Sequence, residues 1–257
     1  MKARDVTITN AEVDWNTLPT KEYIDQYLDD VLPEDRLIQR FTIGALLELP
    51  ISFESLEVGA DICNGGTLHG PASIAPYVRK EIYWSDWGEP QCEQAQTIID
   101  SGKAGDLGGW EPHQRHMGEC HDAWRDAGLR ACQLGKVVQQ NLFELPENSF
   151  DIANMGYGAE SLTRKRKEWE AGATSFFRSV RPGGVAIMLF MRRSTGYKYG
   201  DQSFPATSVD EADVLQVASR ELTHIQGFYV PAFSQGVRPD DTQHSHEGLG
   251  AIVGMRK

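Results

Sequence analysis

The chain is short of the features that mark secreted, membrane-spanning or nucleic-acid-binding proteins. It has four cysteines, Cys63, Cys92, Cys120 and Cys132. None forms a CxxC pair, and their scatter is unlike the disulfide framework of a small secreted domain, so a reducing compartment suits them. No apolar stretch reaches the roughly 20 residues needed to cross a bilayer. The opening MKARDVTITNAEVDW lacks the apolar centre of a secretory signal, and Asp5 and Glu12 argue against a basic transit peptide. A cytoplasmic protein with no membrane partner is expected. Basic charge is also scarce: 25 Lys and Arg face 37 Asp and Glu, a net charge of -12. That balance disfavours binding to phosphate backbones, so no nucleic-acid partner is expected. The one basic run, Arg164-Lys165-Arg166-Lys167, reads as a solvated helix start. There is no internal repeat, no low-complexity linker and no Gly-x-Gly-x-x-Gly motif.

What is present suits one α/β domain: 257 residues, 40% of them hydrophobic and 24% charged. Helical spacing runs from Thr20 to Leu49, with Tyr23, Tyr27, Leu28 and Val31 on neighbouring turns. Leu56 to Cys63 reads as a buried parallel strand ending in the turn-forming Asn64-Gly65-Gly66. A short helix broken by Pro71 and Pro76 follows, then a strand Glu81 to Ser85 that ends at Asp86. Residues 91–135 mix helical pieces with Gly105, Gly108, Gly109 and Pro112, which predicts an irregular excursion beside the site. Strands are expected at Lys136 to Gln139, Ser149 to Asn154 and Val185 to Phe190. A helix from Glu168 to Val180 precedes the turn Arg181-Pro182-Gly183-Gly184. A later helix starts at a capping box, Ser208 to Glu211, and strands near Gln226 to Phe233 and Gly248 to Met255 close the chain. Alternating strands and helices predict a doubly wound, mostly parallel sheet, its last pair antiparallel at one edge.

In such a sheet a ligand lies beyond the carboxyl ends of the strands. Gly65 and Gly66 would let the main chain approach a bulky ligand, and Asp86 could accept hydrogen bonds from both ribose hydroxyls. This describes an adenosine site. Nicotinamide dinucleotides use the same acid-to-ribose contact, so the two landmarks alone leave the cofactor open.

The ordered elements resemble the class I methyltransferase family that includes nicotinamide, phenylethanolamine and indolethylamine N-methyltransferases, over most of the chain. Asn16-Thr17-Leu18-Pro19 and Tyr23 to Leu28 look like the family's entry helix. Asp61-Ile62-Cys63-Asn64-Gly65-Gly66-Thr67 stands where the family has its glycine-rich cofactor loop, and Glu81 to Trp87 resembles its ribose-binding strand end. Arg181 to Val185 is similar to its helix-to-strand turn, Tyr197 to Phe204 to the hairpin that follows, and His246 to Lys257 to its last strand. The resemblance implies a seven-stranded Rossmann-like methyltransferase sheet with a helical lid over residues 15–49. It implies S-adenosyl-L-methionine as cofactor, S-adenosyl-L-homocysteine as product and a small-molecule acceptor, most readily an amine or heterocyclic nitrogen. Tyr23, Asp61, Cys63, Asn64, Gly65, Thr67, Asp86, Trp87, Gln91, Asn141 and Leu142 are then cofactor candidates, and Tyr27, Tyr157, Phe190 and Tyr197 substrate candidates. The chain departs from the pattern at Cys63, in place of the loop's first glycine. It departs again at Asn141, where relatives often carry an acid, and at Phe190, where nicotinamide-methylating relatives place an aspartate.

Methyl transfer is an in-line displacement, so the protein chiefly positions a lone pair and excludes water. An amine must arrive unprotonated, and Glu160, His246 and Glu247 are the candidate proton acceptors. His113, His116, Cys120 and His121 match no standard zinc spacing, and no metal is expected. The alternatives are an O- or C-methyltransferase, or a non-catalytic adenosyl-cofactor-binding protein; a nicotinamide-dependent oxidoreductase is remote without the glycine motif.

Overall fold

The computed structural model describes residues 9–28, 31–199, 202–232 and 246–257. Five parallel strands form the centre: β1 (Leu56–Ile62), β2 (Val78–Asp86), β3 (Gly135–Gln139), β4 (Phe150–Gly156) and β5 (Val180–Arg192), ordered β3-β2-β1-β4-β5. A hairpin of two short strands, β6 (Tyr197–Tyr199) and β7 (Gln202–Phe204), stands apart from this sheet. The strands β8 (Leu222–Pro231) and β9 (Gly248–Arg256) complete the seven, β9 pairing antiparallel with both β5 and β8. The doubly wound, mostly parallel sheet with an antiparallel edge is therefore as expected.

Among the described residues eight α-helices surround the sheet: α1 (Thr20–Leu28), α2 (Pro33–Glu48), α3 (His69–Ile74), α4 (Glu89–Lys103), α5 (Glu111–Cys120), α6 (Ala127–Leu134), α7 (Arg166–Ser179) and α8 (Glu211–Glu221). Strand alternation divides the core between two faces. On β5, Val185 and Ile187 join Leu46, Ile74, Ile99 and Trp124 on one side, whereas Ala186, Met188 and Phe190 join Trp169, Phe176 and Val217 on the other.

Several local expectations need correction. Pro71 does not break α3, because it occupies the first turn, where its missing N–H has no intrahelical partner to lose. Much of the expected excursion is helical, with α4, α5 and α6 packed around a loop at 104–110. Apolar burial of Ile98, Ile99, Met117 and Ala131 outweighs the glycines that suggested irregularity. The cap of α8 is Asp210 rather than Ser208: its carboxylate accepts from the amides of Ala212 and Asp213, and Asp213 reaches back to the Asp210 amide. The expected turn at Arg181 to Gly184 is a bulge inside β5, since Phe150 pairs with Val180 and Ile152 with Val185. Phe233, the end of one expected strand, lies outside the described residues.

Candidate functional site

The glycine turn and the acid meet at the carboxyl ends of adjacent strands. Cys63 follows β1 with a φ of 54°, Gly65 and Gly66 have φ of 65° and 73°, and these three left-handed residues fold the chain back over the sheet edge. Asn64 fastens the turn: its amide donates to the Ser85 carbonyl, its side-chain NH2 to Asp61 and to the Thr67 carbonyl, and its side-chain carbonyl accepts from the Thr67 amide. The Gly65 amide donates to Asp86 Oδ2 at 2.7 Å, while the amides of Trp87 and Gly88 donate to Oδ1 at 2.8 and 3.1 Å. Burial raises Asp86 above the ordinary carboxylate range, against the opposing pull of these three amides.

A cavity opens along this edge, from β2 across β1 and β4 to β5. At one end stand Asp86, Trp87, Gln91, Gln140, Asn141 and Leu142; at the other, Tyr157, Ser161, Leu162, Met191 and Tyr197. Gly65, Cys63 and Tyr23 stand between them. Tyr23 lies across the glycine turn, its hydroxyl 3.0 Å from where a Cβ on Gly65 would be. The roof is aromatic: Trp15 stacks on Phe204 at 5.8 Å, and Phe204 on Tyr197 at 5.1 Å. The amino-terminal segment and the β6–β7 hairpin thus cover the cavity together.

A second chamber adjoins the first and shares Tyr23, Cys63, Gly156 and Tyr157 with it. Asp61, Asn64, Thr67 and His69 form its wall beneath the turn, and α2 supplies Asp35, Ile38, Gln39 and Thr42. Asp61 accepts from the side-chain amides of Asn64 and Asn154, and burial pushes its carboxyl up to about 7. The same burial, with the charges of Asp86, Asp61 and Glu160 next, raises the Cys63 thiol, which therefore stays protonated.

Of the cofactor candidates, Tyr23, Cys63, Gly65, Asp86, Trp87, Gln91, Asn141 and Leu142 line the first chamber, and Asp61, Asn64 and Thr67 the second. Asn141 differs from expectation in that its side-chain carbonyl already accepts from the Phe143 amide at 3.0 Å, capping a short helical turn. Of the substrate candidates, Tyr157 and Tyr197 line the β4–β5 end of the first chamber, whereas Phe190 is buried on the opposite face against Gly250. The Tyr27 side chain lies outside the described ones.

The three candidate bases stand outside the lining of both chambers. Glu160 is fully buried, with Oε1 accepting the Met191 amide at 2.8 Å and burial raising it to about 7. Glu247 is exposed and paired with Arg192 and Arg193, and His246 precedes it in the same surface segment. His113 meets His69 at 2.6 Å, His116 faces the Arg36 carbonyl, and His121 accepts from the Ala123 amide. Among the described residues no group of three or more His, Cys, Asp or Glu is arranged to hold a metal ion. No helix among them is long and apolar enough to cross a membrane.

Sequence reasoning missed Trp15, Gln140, Ser161, Leu162 and Met191. Met191 carried a signal, since strand alternation sets it opposite Phe190; Gln140, in a loop, carried none.

No protein-family model matches the chain, and no curated protein does. Solved structures do. The N-methyltransferase NodS from Bradyrhizobium japonicum, in complex with S-adenosylhomocysteine, is 11% identical, with 92% of this chain and 98% of that one covered and a TM-score of 0.52. The 1,6-didemethyltoxoflavin-N1-methyltransferase of Burkholderia thailandensis, with bound 1,6-didemethyltoxoflavin and S-adenosylhomocysteine, is 15% identical, with 93% and 87% covered and a TM-score of 0.50. A possible exported protein from Bordetella parapertussis is 11% identical, with 96% and 84% covered and a TM-score of 0.53. At these identities the likeness shows the fold alone, a seven-stranded, mostly parallel Rossmann-like sheet.

Proposed function

We propose that this chain is an S-adenosylmethionine-dependent methyltransferase acting on a small molecule, most readily at nitrogen. The observation that carries the proposal is the Gly65 amide bonded to Asp86 at the wall of a cavity that continues to Tyr157, Met191 and Tyr197. The names of two fold neighbours, both N-methyltransferases seen with S-adenosylhomocysteine, support it. We treat residues 1–257 as one methyltransferase domain, with 15–49 as its lid segment.

The residues present fit an adenosyl group. A carboxylate offers about four lone-pair sites, and main-chain amides fill three on Asp86, leaving one for a ribose hydroxyl. Gln91 Oε1, buried at the same end of the cavity without a hydrogen-bond partner, supplies an acceptor for the second hydroxyl. Asn141 and Leu142 flank the place of the adenine.

S-adenosylmethionine would supply, when bound, a sulfonium methyl carbon for in-line attack by the acceptor, with S-adenosylhomocysteine as the leaving thioether. The protein's part is positional: Trp15, Phe204 and Tyr197 exclude water, and Tyr157 and Met191 hold the acceptor against the methyl. Ring faces at Tyr157 and Tyr197 also favour a nearby cation. Glu160, His246 and Glu247 serve as proton acceptors in this proposal only through intervening water, because they stand outside the chamber lining.

The test is transfer of isotope-labelled methyl from S-adenosylmethionine to a panel of amines, heterocycles and phenols, with the modified atom located by mass spectrometry and NMR. N-methylated products confirm the proposal; oxygen or carbon products move it to the alternative acceptor. Cofactor binding with no turnover on any member favours a binding protein.

A further inference from the structure

Ser161 stands on the short turn Ala159–Leu162, which follows β4 and reaches the first chamber. The residue is 8% exposed, and its hydroxyl oxygen is buried with no hydrogen-bond partner. A hydroxyl can donate once and accept twice, so one left unsatisfied on a cavity wall is costly unless a ligand completes it. The backbone that carries it is well held. The Ser161 amide donates to the Gly158 carbonyl at 3.0 Å, the Thr207 amide to the Glu160 carbonyl at 2.7 Å, and the Met191 amide to Glu160 Oε1 at 2.8 Å. Tyr157, just before the turn, has a φ of 57°, a conformation that strains a residue with a Cβ and that its amide bond to the Leu189 carbonyl maintains. Ser161 is thus set in place before any ligand arrives, which lowers the cost of binding one.

The walls around it restrict what that ligand can be. Toward β5 the lining is Tyr157, Leu162, Met191 and Tyr197, with no formally charged side chain. Among the described residues Asp86 is the only charged one on the chamber wall, and it stands at the opposite end with three main-chain amides already on it. Glu160 lies behind the turn, outside the lining, and burial favours its neutral form. An ammonium or carboxylate carried to the Ser161 end would be buried without a counter-charge, which is heavily unfavourable. Attraction of a cation to the ring faces offsets only part of that cost. An uncharged ring packs against Tyr157 and Tyr197 without it.

We propose that Ser161 binds the methyl acceptor by hydrogen bonding, and that this end of the chamber selects an uncharged aromatic ring bearing one hydrogen-bonding group. This rests on the adenosyl reading given above and narrows its acceptor to molecules without an ammonium or carboxylate. Aliphatic amines, charged at neutral pH, are poor acceptors on this account.

The test is calorimetry on the full chain saturated with S-adenosylhomocysteine, whose own affinity is measured first. The probes are benzene and quinoline rings that carry a hydroxymethyl, methyl, aminomethyl or carboxylate group. The hydroxymethyl compounds are expected to bind about tenfold more tightly than the methyl compounds and more tightly than either charged form. Ser161→Ala is expected to abolish the hydroxymethyl preference and leave the affinities of the methyl compounds and of S-adenosylhomocysteine unchanged. Its melting temperature should not fall, because the deleted hydroxyl bonds to nothing in the protein. A hydroxymethyl preference that survives Ser161→Ala, tighter binding of a charged probe, or binding of no probe overturns the proposal and leaves the adenosyl site intact. If S-adenosylhomocysteine does not bind the folded native chain, the adenosyl reading falls and the acceptor assignment with it. Should Ser161→Ala fail to fold, Ser161→Cys carries the comparison, since a thiol keeps the side chain's shape and weakens its hydrogen bonding.

Discussion

At the scale of single residues, the site is built on acids whose hydrogen bonds go first to the chain itself. Asp86 secures three amides, so its removal loosens the glycine turn as well as the proposed ribose contact. Gln91→Leu separates the two effects, because Gln91 makes one long bond, to the Trp15 carbonyl at 3.4 Å. It is expected to weaken S-adenosylhomocysteine by about three- to tenfold at little cost in stability, measured by calorimetry beside a thermal melt. Asp61 and Glu160 carry a pH signature. Burial raises each to about 7, from 3.8 and 4.5, so between roughly pH 4 and 7 the folded state holds protons that the unfolded chain releases. Stability therefore falls as pH rises through that window, by something on the order of 3 kcal/mol for each group. In Glu160→Gln the amide carbonyl can still accept the Met191 amide and nothing titrates. Urea unfolding from about pH 5 to 8 should give a shallower decline than the native chain; an equal decline contradicts the assignment.

At the scale of elements, two close approaches and one aromatic stack position the site. The start of α3 presses on Asp61 so tightly that a Cβ at Gly70 would fall 2.1 Å from its carboxylate. Gly70→Ala is expected to cost about 2 kcal/mol or more, read from denaturant midpoints, and to loosen the second chamber's wall. Gly158 is pressed in the same way against the Cys63 side chain. The roof depends on Phe204, sandwiched between Trp15 and Tyr197. Phe204→Ala should speed proteolysis of the amino-terminal segment and weaken acceptor binding more than cofactor binding, seen as a rise in acceptor KM. This is also the scale at which the sequence was most and least legible. Apolar runs located every strand of the sheet, because burial on both faces leaves a continuous signal, though β5 begins at Val180, five residues before its expected start and where a helix end was expected. Helices in 89–134 were hidden by glycines and by a polar face around His113 and His116. Gly65 and Asp86 were legible because turn chemistry and an acid at a strand end are local features. Trp15 and Ser161 were not, since tertiary contact alone brings them to the cavity.

At the scale of the whole molecule, one sheet edge organises everything functional. β2 provides the acid, β1 the turn, and β4 and β5 lead to the residues at the cavity's other end, while segments remote in sequence close over them. The fold is a Rossmann-like sheet shared with solved methyltransferases at low identity, so the functional proposal rests on the site rather than on ancestry. The central claim is that the cavity beside Gly65 and Asp86 is an adenosyl site. Its most direct test is calorimetric titration of the native chain and Asp86→Ala with S-adenosylmethionine and S-adenosylhomocysteine, with a nicotinamide dinucleotide as control. The account predicts binding of both adenosyl ligands, no binding of the dinucleotide, and loss of affinity in Asp86→Ala; a folded native chain that binds neither adenosyl ligand would contradict it.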